Sequence, residues 1–402
     1  MENEEYAAIA STLRSFYTFH QWQKKQVLVP KSIKYNSLSS ADQALVDFYP
    51  ALLRDLAQCI DMNQSFCQTL ALVAAQDWGV ATPPESWPEC SYTDYDKVRS
   101  TLLQMAREWS SDGAKERLAT FGRLLAKAEA LFPPEKRAQT RVLVPGCGLG
   151  RLVYEFVKAG FWTQGNEVSY HMLLASGFML NRVPVASTHA VFPYVHRSSH
   201  LARRLFQVRP VYLPDESPYS LFENGGEDVG ELMSMAAGSF VELYGPDQTF
   251  DSAESDQFRL SNKGSFDVVA TCFFLDTAHN VLDYLRTIHH CLADSGVWIN
   301  VGPLHWHFEG DSSQHMVTRN GEKVPSVMEG LELSREELFQ LMDRMDFEVE
   351  EHESFDTTYS SDVRALSNFQ YGTEFWVARK KAKDARNLEK DIEEARDNTE
   401  GH

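Results

Sequence analysis

The sequence has few cysteines, no excess of basic residues and no long apolar run. Its 6 cysteines are scattered and form no C-x-x-C pair, so the spacing typical of zinc ligands and thiol-redox motifs is missing. We therefore expect reduced thiols and no metal site. No stretch reaches the roughly 18–20 apolar residues of a membrane-spanning helix, so we expect no membrane segment.

The charge balance is strongly acidic. Lys and Arg number 38, Asp and Glu number 57, and the formal net charge is −19. A general nucleic-acid binder needs a basic surface for phosphates, so we expect neither a nucleic-acid partner nor binding to an anionic membrane. The first residues are acidic and lack the apolar segment of a secretory signal. We expect a cytoplasmic protein, with the nucleus as a second location.

The first 80 residues carry the apolar spacing of helices. One amphipathic helix is predicted over about 7–17, a second begins near Ser40 and runs past Leu56, and a third runs through Phe66 to Ala74. Pro50 lies within the second pattern, so a kink or break is expected there. We interpret residues 1–90 as a helical extension whose simplest role is packing.

Two further helices are predicted over 94–110 and 113–131. In the first of them, Gln104 and Arg107 are three residues apart and therefore share one helix face. The plain interpretation of this pair is a solvated face, and the alternative is a ligand contact.

From residue 141 the pattern alternates between strands and helices, which predicts a parallel α/β sheet in a domain over 91–380. Strands are predicted over 142–144, 161–167, 208–213, 266–274 and 297–301, followed by two late strands over 347–354 and 373–379. Residues 245–265 are polar and acidic and indicate a surface insertion. Residues 381–402 hold almost no apolar side chain and are expected to form a disordered or loosely helical tail.

A glycine-rich loop follows the first of these strands. Gly146, Gly148 and Gly150 alternate with other residues, and an amphipathic helix pattern starts at once. Strand, glycine loop and helix N-terminus together indicate a nucleotide-type cofactor. The dinucleotide fingerprint G-x-G-x-x-G has Arg151 where its last glycine should stand. Glu167, 21 positions after Gly146, can take both ribose hydroxyls of either cofactor. The bunched glycines fit a cofactor without a pyrophosphate and so favour S-adenosylmethionine over a dinucleotide, and a glycine turn without a ligand is the remaining alternative.

Polar side chains follow the later strands. In a doubly wound sheet, ligands lie at the carboxyl ends of the strands, so Asp276 is placed where an acceptor substrate would be held. Its alternative role is an N-cap for the next helix. His305 and His307 follow the fifth strand, and no third ligand at a metal-binding spacing accompanies them. Tyr371 precedes the last strand and is expected to close the pocket.

Several long motifs resemble the carnosine N-methyltransferase family. They are Val-Pro-Gly-Cys-Gly-Leu-Gly-Arg-Leu (144–152), Gln-Gly-Asn-Glu (164–167), Cys-Phe-Phe-Leu-Asp-Thr-Ala-His-Asn (272–280) and Trp-Ile-Asn-Val-Gly-Pro-Leu (298–304) with His307-Phe308. The resemblance runs from about Lys97 to Arg379. It implies a seven-stranded, Rossmann-like class I methyltransferase sheet with helices on both faces, and transfer of a methyl group from S-adenosylmethionine to the imidazole of carnosine, giving anserine.

The resemblance also implies site residues. Asp276, His307 and Tyr371 would hold the dipeptide and serve catalysis. The cofactor-binding residues would be Gln104, Arg107, Gly146, Gly148, Gly150, Glu167, Ser239, Phe240 and Cys272. The chain departs from the family pattern at Ser239, where the family has Asp, and at Phe369, where the family has Tyr.

Two other functions fit the same motifs. The acceptor could be a histidine in another peptide or in a protein, or the chain could be a non-catalytic S-adenosylmethionine-binding scaffold. The partners expected are a small dipeptide substrate and a second copy of the chain, paired through the N-terminal helices.

Overall fold

A computed structural model describes residues 3–225, 227–246, 253–311, 313–319, 322–327 and 330–381. All the cysteines lie within these ranges, and none of them is in a disulfide. Among the helices of the described ranges, none is both long enough and apolar enough to cross a membrane. The predicted tail, apart from Lys381, lies outside the described residues.

The chain divides into two compact units. The first unit consists of the described residues of Met1–Gln139, Gly146–Ser239 and Asp356–Gly372. The second unit consists of those of Thr140–Pro145, Phe240–Phe355 and Thr373–His402. Each unit therefore draws on segments that are far apart in the sequence.

The described residues of the N-terminal region form helices joined by short turns, and the α-helices are α1 Asn3–Tyr17, α2 Phe19–Gln23, α3 Val29–Asn36, α4 Ser40–Leu45 and α5 Tyr49–Asp77. The predicted boundary between the second and third helices is wrong, because α5 is one helix of 29 residues that includes parts of both. Pro50 stands in its first turn, where a proline costs little since that amide has no intrahelical acceptor. The break lies before Pro50, between α4 and α5.

Apolar faces of these helices form one core within the first unit. Ile9, Leu13 and Phe16 of α1 are fully buried, as is Leu70 of α5. Their spacing of three and four residues places them on one side of each helix. Packing of this stripe, rather than helix propensity, stabilises helices in water.

Four helices follow, namely α6 Tyr92–Trp109, α7 Ala114–Ala119, α8 Phe121–Leu131 and α9 Pro134–Arg137. α6 begins with a capping box, in which the Ser91 side chain accepts from the amide of Asp94 and the Asp94 carboxylate accepts from the amide of Ser91. The single helix predicted over 113–131 is divided into α7 and α8 at Thr120, whose φ of −109° and ψ of −73° depart from ideal helix values.

The remaining elements alternate strands with helices. They are β1 Arg141–Pro145, α10 Arg151–Lys158, β2 Trp162–Glu167, α11 Tyr170–Asn181, β3 His189–Val191, α12 Arg204–Gln207, β4 Val211–Leu213, α13 Pro218–Gly225, β5 Met233–Ala237, α14 Phe240–Tyr244, α15 Ala253–Asn262, β6 Phe266–Cys272, α16 Val281–Cys291, β7 Leu292–Gly302, β8 Gln314–Arg319, β9 Glu322–Val327, α17 Arg335–Arg344, β10 Phe347–Thr357 and β11 Tyr371–Lys380.

Seven of these strands form one sheet in the order β10-β11-β7-β6-β1-β2-β5. β1 pairs with β6, β6 with β7 and β2 with β5, all in parallel. β11 pairs with β7 in the antiparallel direction. This mostly parallel seven-stranded sheet, built from alternating strands and helices, confirms the predicted fold class.

One predicted strand is misplaced. The segment 208–213 was expected in the main sheet, but its described strand, β4, pairs only with β3, in a separate two-stranded sheet. Pro210 and Pro214 flank β4 and carry no amide hydrogen, which limits its length and its pairing. The main sheet is completed instead by β5, whose Met-Ser-Met-Ala-Ala sequence has little β propensity.

The segment interpreted as a surface insertion contains α15 within its described part. Phe258 of this helix packs edge-on against Tyr244 at a centroid distance of 5.3 Å, and Arg259 is 5% exposed. The hairpin of β8 and β9 was not predicted.

Candidate functional site

The glycine loop of the first unit depends on left-handed backbone geometry. Gly146, Gly148 and Gly150 have φ values of 61°, 56° and 78°. A Cβ on Gly148 would lie 3.1 Å from Oε1 of Glu108, and one on Gly150 would lie 2.9 Å from Oγ of Ser176. Glycine is required because other L-residues rarely adopt this φ and because neighbouring side chains fill the space. α10 starts directly after the loop, as predicted.

Glu167 ends β2 beside this loop. Its Oε2 accepts a hydrogen bond from the amide of Gly148 at 3.0 Å, and its Oε1 accepts from the amides of Val168 and Ser169 at 2.8 and 2.9 Å. Burial raises the pKa of this carboxyl, while the backbone donors act in the opposite direction. The carboxylate is thus held in one orientation, with a lone pair on Oε2 left for a ligand.

Arg107 on α6 is buried, not solvated. It is 4% exposed, its Nη1 lies 3.5 Å from Oε1 of Glu108, and its Nε lies 3.6 Å from Oε2 of Glu116. Its guanidinium also stacks over the Tyr359 ring at 4.5 Å. The solvated-face interpretation is therefore wrong for Arg107. Gln104 is half-buried, and its Oε1 lies 3.8 Å from the position of a Cβ on Gly148.

Glu108 was missed by the sequence reasoning. It is 4% exposed and lies against the glycine loop. Burial raises the pKa of its carboxyl to about 7, and the charge of Arg107 and a hydrogen bond from the Leu149 amide counteract part of this shift. The signal was present, because Glu108 is four residues from Gln104 and therefore on the same helix face.

The segment Asp356–Gly372 belongs to the first unit and is attached to Glu116. The carboxylate of Glu116 accepts from the amides of Ser360 and Ser361 at 2.9 and 3.0 Å and from the hydroxyl of Thr358 at 2.5 Å. These bonds hold the segment that carries Tyr359 over Arg107.

At its end this segment carries Tyr371, whose ring lies 4.6 Å from that of Phe369. Phe369 is 66% exposed, so the missing hydroxyl at this position leaves no buried vacancy.

In the second unit, Asp276 lies in a short 3-10 turn after β6 and is 3% exposed. Its Oδ2 accepts from the amide of His305 at 3.2 Å, and its carbonyl accepts from the amide of His307 at 3.0 Å. Burial raises the pKa of the carboxyl to about 6. The N-cap alternative is wrong, because Asn280 caps α16 by accepting from the amide of Leu282.

Two histidines, His305 and His307, follow β7. Burial and the neighbouring His305 lower the pKa of His307, so its imidazole is neutral at physiological pH. The ring centroids of the two are 6.4 Å apart. Among the described residues, no group of three or more His, Cys, Asp or Glu side chains could hold a metal ion.

The other predicted cofactor residues lie at strand ends. Cys272 is the last residue of β6 and is half-buried. In the first unit, Asn166 donates from Nδ2 to the carbonyl of Gly238 at 2.9 Å and so fixes the backbone before Ser239. In the second unit, Phe240 packs edge-on against Phe274 at 5.4 Å.

Each unit therefore gathers part of the predicted set. The first places Gln104 and Glu167 against Gly148 of the glycine loop, and Arg107 contacts Glu108, which lies against the same glycine. The second brings Asp276 and His307 together.

Comparison with known proteins identifies the family. Residues 84–382 match the family model described as carnosine N-methyltransferase. The chain belongs to the carnosine N-methyltransferase family. The resemblance stated from the sequence motifs is thereby confirmed, and the chain is a methyltransferase.

Curated relatives agree over nearly the whole chain. A carnosine N-methyltransferase of Schizosaccharomyces pombe is 37% identical over 388 residues, which cover 94% of this chain and 97% of that one. The Rattus norvegicus carnosine N-methyltransferase is 33% identical over 86% of this chain and 80% of its own. Among solved structures, a phosphoethanolamine N-methyltransferase 2 of Haemonchus contortus aligns with a TM-score of 0.38 and 11% identity, covering 72% of this chain and 58% of that one.

Proposed function

We propose that this chain transfers a methyl group from S-adenosylmethionine to an imidazole nitrogen of carnosine, giving anserine. The observation that carries the proposal is a buried carboxylate, Asp276, after the β6 strand of a chain of this family. Such a carboxylate can accept an imidazole N–H and also stabilise the positive charge that methylation gives the ring.

The described residues fit the cofactor. The loop residue that comes closest to Glu108 is Gly148, which has no side chain. The Glu167 carboxylate can accept hydrogen bonds from ribose hydroxyls. The residues that would hold the cofactor are Gln104, Arg107, Gly146, Gly148, Gly150, Glu167, Ser239, Phe240 and Cys272. When bound, S-adenosylmethionine supplies a methyl group on a positively charged sulfur.

Arg107 supports this assignment by its charge. The guanidinium is always protonated and presents donors that match a carboxylate, such as that of the methionine portion. Its stacking over Tyr359 and its contact with Glu116 hold it in place before any ligand binds.

Asp276 would act on the acceptor. Its carboxylate accepts the N–H of one ring nitrogen, which fixes the tautomer and leaves the other nitrogen's lone pair toward the methyl donor. As the new N–CH3 bond forms and the S–CH3 bond breaks, the ring becomes positive and the carboxylate stabilises it. The ring N–H proton then passes to Asp276 and to solvent, which leaves a neutral methylated imidazole. A pKa near 6 makes Asp276 a stronger proton acceptor than an ordinary carboxylate, while it stays mostly ionised at pH 7.

His307 and Tyr371 would orient the dipeptide. The amide of His307 is tied to the carbonyl of Asp276, so the two residues hold a constant separation. Positioning of this kind is the main contribution a protein can make to an in-line displacement.

The experiment that tests the function compares acceptors. The purified chain is incubated with labelled S-adenosylmethionine and either carnosine, free histidine, a histidine-ended peptide or bulk protein, and the methylated nitrogen is assigned by NMR. We expect carnosine to be the best acceptor. A stronger reaction with a histidine peptide or protein would move the function to the first alternative, and cofactor binding without any methylation would support the scaffold.

The partners and location remain part of the proposal. We expect a homodimer through the N-terminal helices, where Ile33 and Leu45 are 64% and 79% exposed. We also expect no nucleic-acid or membrane partner, and a cytoplasmic location with the nucleus as a second compartment.

A further inference from the structure

One buried carboxyl beside the glycine loop has no role in the function described above. Glu108 stands on α6 directly after Arg107, and its side chain is 5% exposed. Its Oε1 lies close enough to Gly148 that a Cβ there would be 3.1 Å away. The Glu108 carboxylate thus contacts the surface that a cofactor on this loop would cover.

The hydrogen bonding of Glu108 is incomplete. Its Oε1 faces Nη1 of Arg107 at 3.5 Å, and the backbone amides of Arg151 and Leu149 donate to the carboxylate. Its Oε2 is buried and has no hydrogen-bond partner among the described residues. A buried acceptor without a donor is costly, and such atoms are rare in folded proteins.

The local charges show a surplus of negative charge. Arg107 is one guanidinium placed between two carboxylates, those of Glu108 and Glu116. Glu116 is satisfied by donors from Thr358, Ser360 and Ser361. The Glu108 carboxylate accepts from the amides of Leu149 and Arg151, but its Oε2 has no donor among the described residues, so part of the negative charge is left unpaired there.

The other charged groups around Glu108 do not remove this surplus. Glu167 adds to it by repulsion. The guanidinium of Arg151 on α10 donates to the backbone carbonyl of Glu108 at 3.1 Å, and the backbone amide of Arg151 donates to the Glu108 carboxylate. A cation brought by a ligand would supply the donor that Oε2 lacks among the described residues.

We propose that Glu108 binds the α-ammonium group of the cofactor's methionine portion, while Arg107 beside it binds the α-carboxylate. This rests on the proposed function, since it assumes an S-adenosylmethionine site on the loop. An amino-acid head group carries an ammonium and a carboxylate a few bonds apart. Arg107 and Glu108 are adjacent and present one positive and one negative group at a similar separation. A charge-assisted hydrogen bond to Oε2 would satisfy the buried oxygen.

Glu167 is the less suitable carboxylate for this ammonium. Both of its oxygens already accept hydrogen bonds from backbone amides, those of Gly148, Val168 and Ser169. Ribose hydroxyls are weaker donors and suit a carboxylate that is already partly neutralised. The two carboxylates at the loop therefore divide the cofactor between them, one for the sugar and one for the amino group.

The test is a thermodynamic cycle in which one side chain of the protein and one group of the ligand are varied. S-adenosylhomocysteine and its deaminated analogue, which keeps the carboxylate and lacks the α-amino group, are titrated into wild type and Glu108→Gln by calorimetry. We expect S-adenosylhomocysteine to bind about 10- to 100-fold more weakly to Glu108→Gln, the range for a hydrogen bond between charged groups. The deaminated analogue should bind both proteins within about threefold, since the group that Glu108 recognises is missing.

Three outcomes are informative. Equal weakening of both ligands in Glu108→Gln would overturn the proposal, because Glu108 would then act only by holding Arg107. Unchanged binding of S-adenosylhomocysteine would overturn it as well. If wild type binds no S-adenosylhomocysteine at all, the proposed function fails first, and the two failures are thus distinguishable.

A second measurement does not depend on the folding of a variant. Wild type alone should prefer S-adenosylhomocysteine to the deaminated analogue by at least about tenfold. Binding should also release protons near pH 6.5, because the ammonium favours the ionised form of Glu108. Calorimetry in buffers of different ionisation enthalpy measures this release, and Glu129→Gln, in the half-exposed pair with Arg137, is the control that leaves it unchanged.

Discussion

The amide of Gly148 donates a hydrogen bond to Oε2 of Glu167 at 3.0 Å. This bond joins the glycine loop after β1 to the end of β2, two motifs 19 residues apart in the sequence. It orients the carboxylate through the same backbone that must approach the cofactor. The loop and the carboxylate therefore function as one structure, and a change in the loop should disturb both.

Gly148→Ala tests that coupling. Its φ of 56° is unfavourable for alanine, and the new Cβ would lie 3.1 Å from Oε1 of Glu108. We expect a loss of about 1–2 kcal/mol in the free energy of unfolding, and weaker binding of S-adenosylhomocysteine. The matched control is Gly177→Ala in α11, where nothing lies within 4 Å of the added Cβ. In urea unfolding, the control should be neutral or more stable by about 0.5–1 kcal/mol.

Asp276→Asn tests the acceptor site. The amide keeps the size of the side chain and removes its charge, so stabilisation of the methylated ring should be lost. We expect turnover on carnosine to fall on the order of 100-fold or more, with binding of S-adenosylhomocysteine unchanged. Asp283→Asn, in the exposed pair with Arg286, is the control and should keep full activity. Normal turnover in the Asp276 variant would contradict its assigned role.

Glu116→Gln tests the attachment of the segment Asp356–Gly372. The variant removes the charge that accepts the amides of Ser360 and Ser361. We expect these two amides to exchange with deuterium faster, and the free energy of unfolding to fall by about 1–3 kcal/mol. Glu129→Gln should leave both measurements unchanged. Unaltered exchange in the Glu116 variant would show that other contacts hold the segment.

The stability of the free protein should depend on Glu108 and pH. The folded pKa of about 7 lies above the ordinary value of 4.5, so the unfolded chain binds fewer protons between these values. The free energy of unfolding therefore falls as pH rises through this window, by up to about 3 kcal/mol from this group. Glu108→Gln removes the titration, so its stability relative to wild type should increase from pH 5 to pH 8. Denaturant unfolding at both pH values measures the difference, and a constant offset would refute the predicted sign.

Ser239→Asp tests the departure from the family pattern. A carboxylate there can accept a hydrogen bond from the amino group of adenine, and a serine hydroxyl is a weaker acceptor for that donor. We expect S-adenosylhomocysteine to bind about 2- to 10-fold more tightly to the variant. The gain should vanish with S-inosylhomocysteine, which has an oxygen in place of that amino group. A gain with both ligands would point to a general effect of charge.

Local signals predicted the loop and its surroundings well. Glycine is the residue that tolerates the positive φ of Gly146, Gly148 and Gly150, so the sequence itself indicates the turn. The strong β propensity of β6 likewise identified a central strand. β5 was missed because its short methionine and alanine run carries almost no such preference, and only pairing with β2 makes it a strand.

Helix boundaries depended on details that periodicity does not contain. Pro50 suggested a break inside a helix, but the helix begins one residue before it. Proline at that position has no hydrogen bond to lose, so the same residue that breaks a helix interior can start a helix.

Residue order alone was enough to predict the fold class, the glycine loop, its spacing to Glu167 and, through the long motifs, the methyltransferase family. These follow from backbone preferences and residue order, which are local properties. The packing of the folded chain was needed to show that Arg107 is buried between two carboxylates and that one oxygen of Glu108 has no donor among the described residues. Burial and partner choice depend on which distant segments pack against α6, and the low dielectric that results changes the pKa of a carboxyl that the sequence alone presents as ordinary.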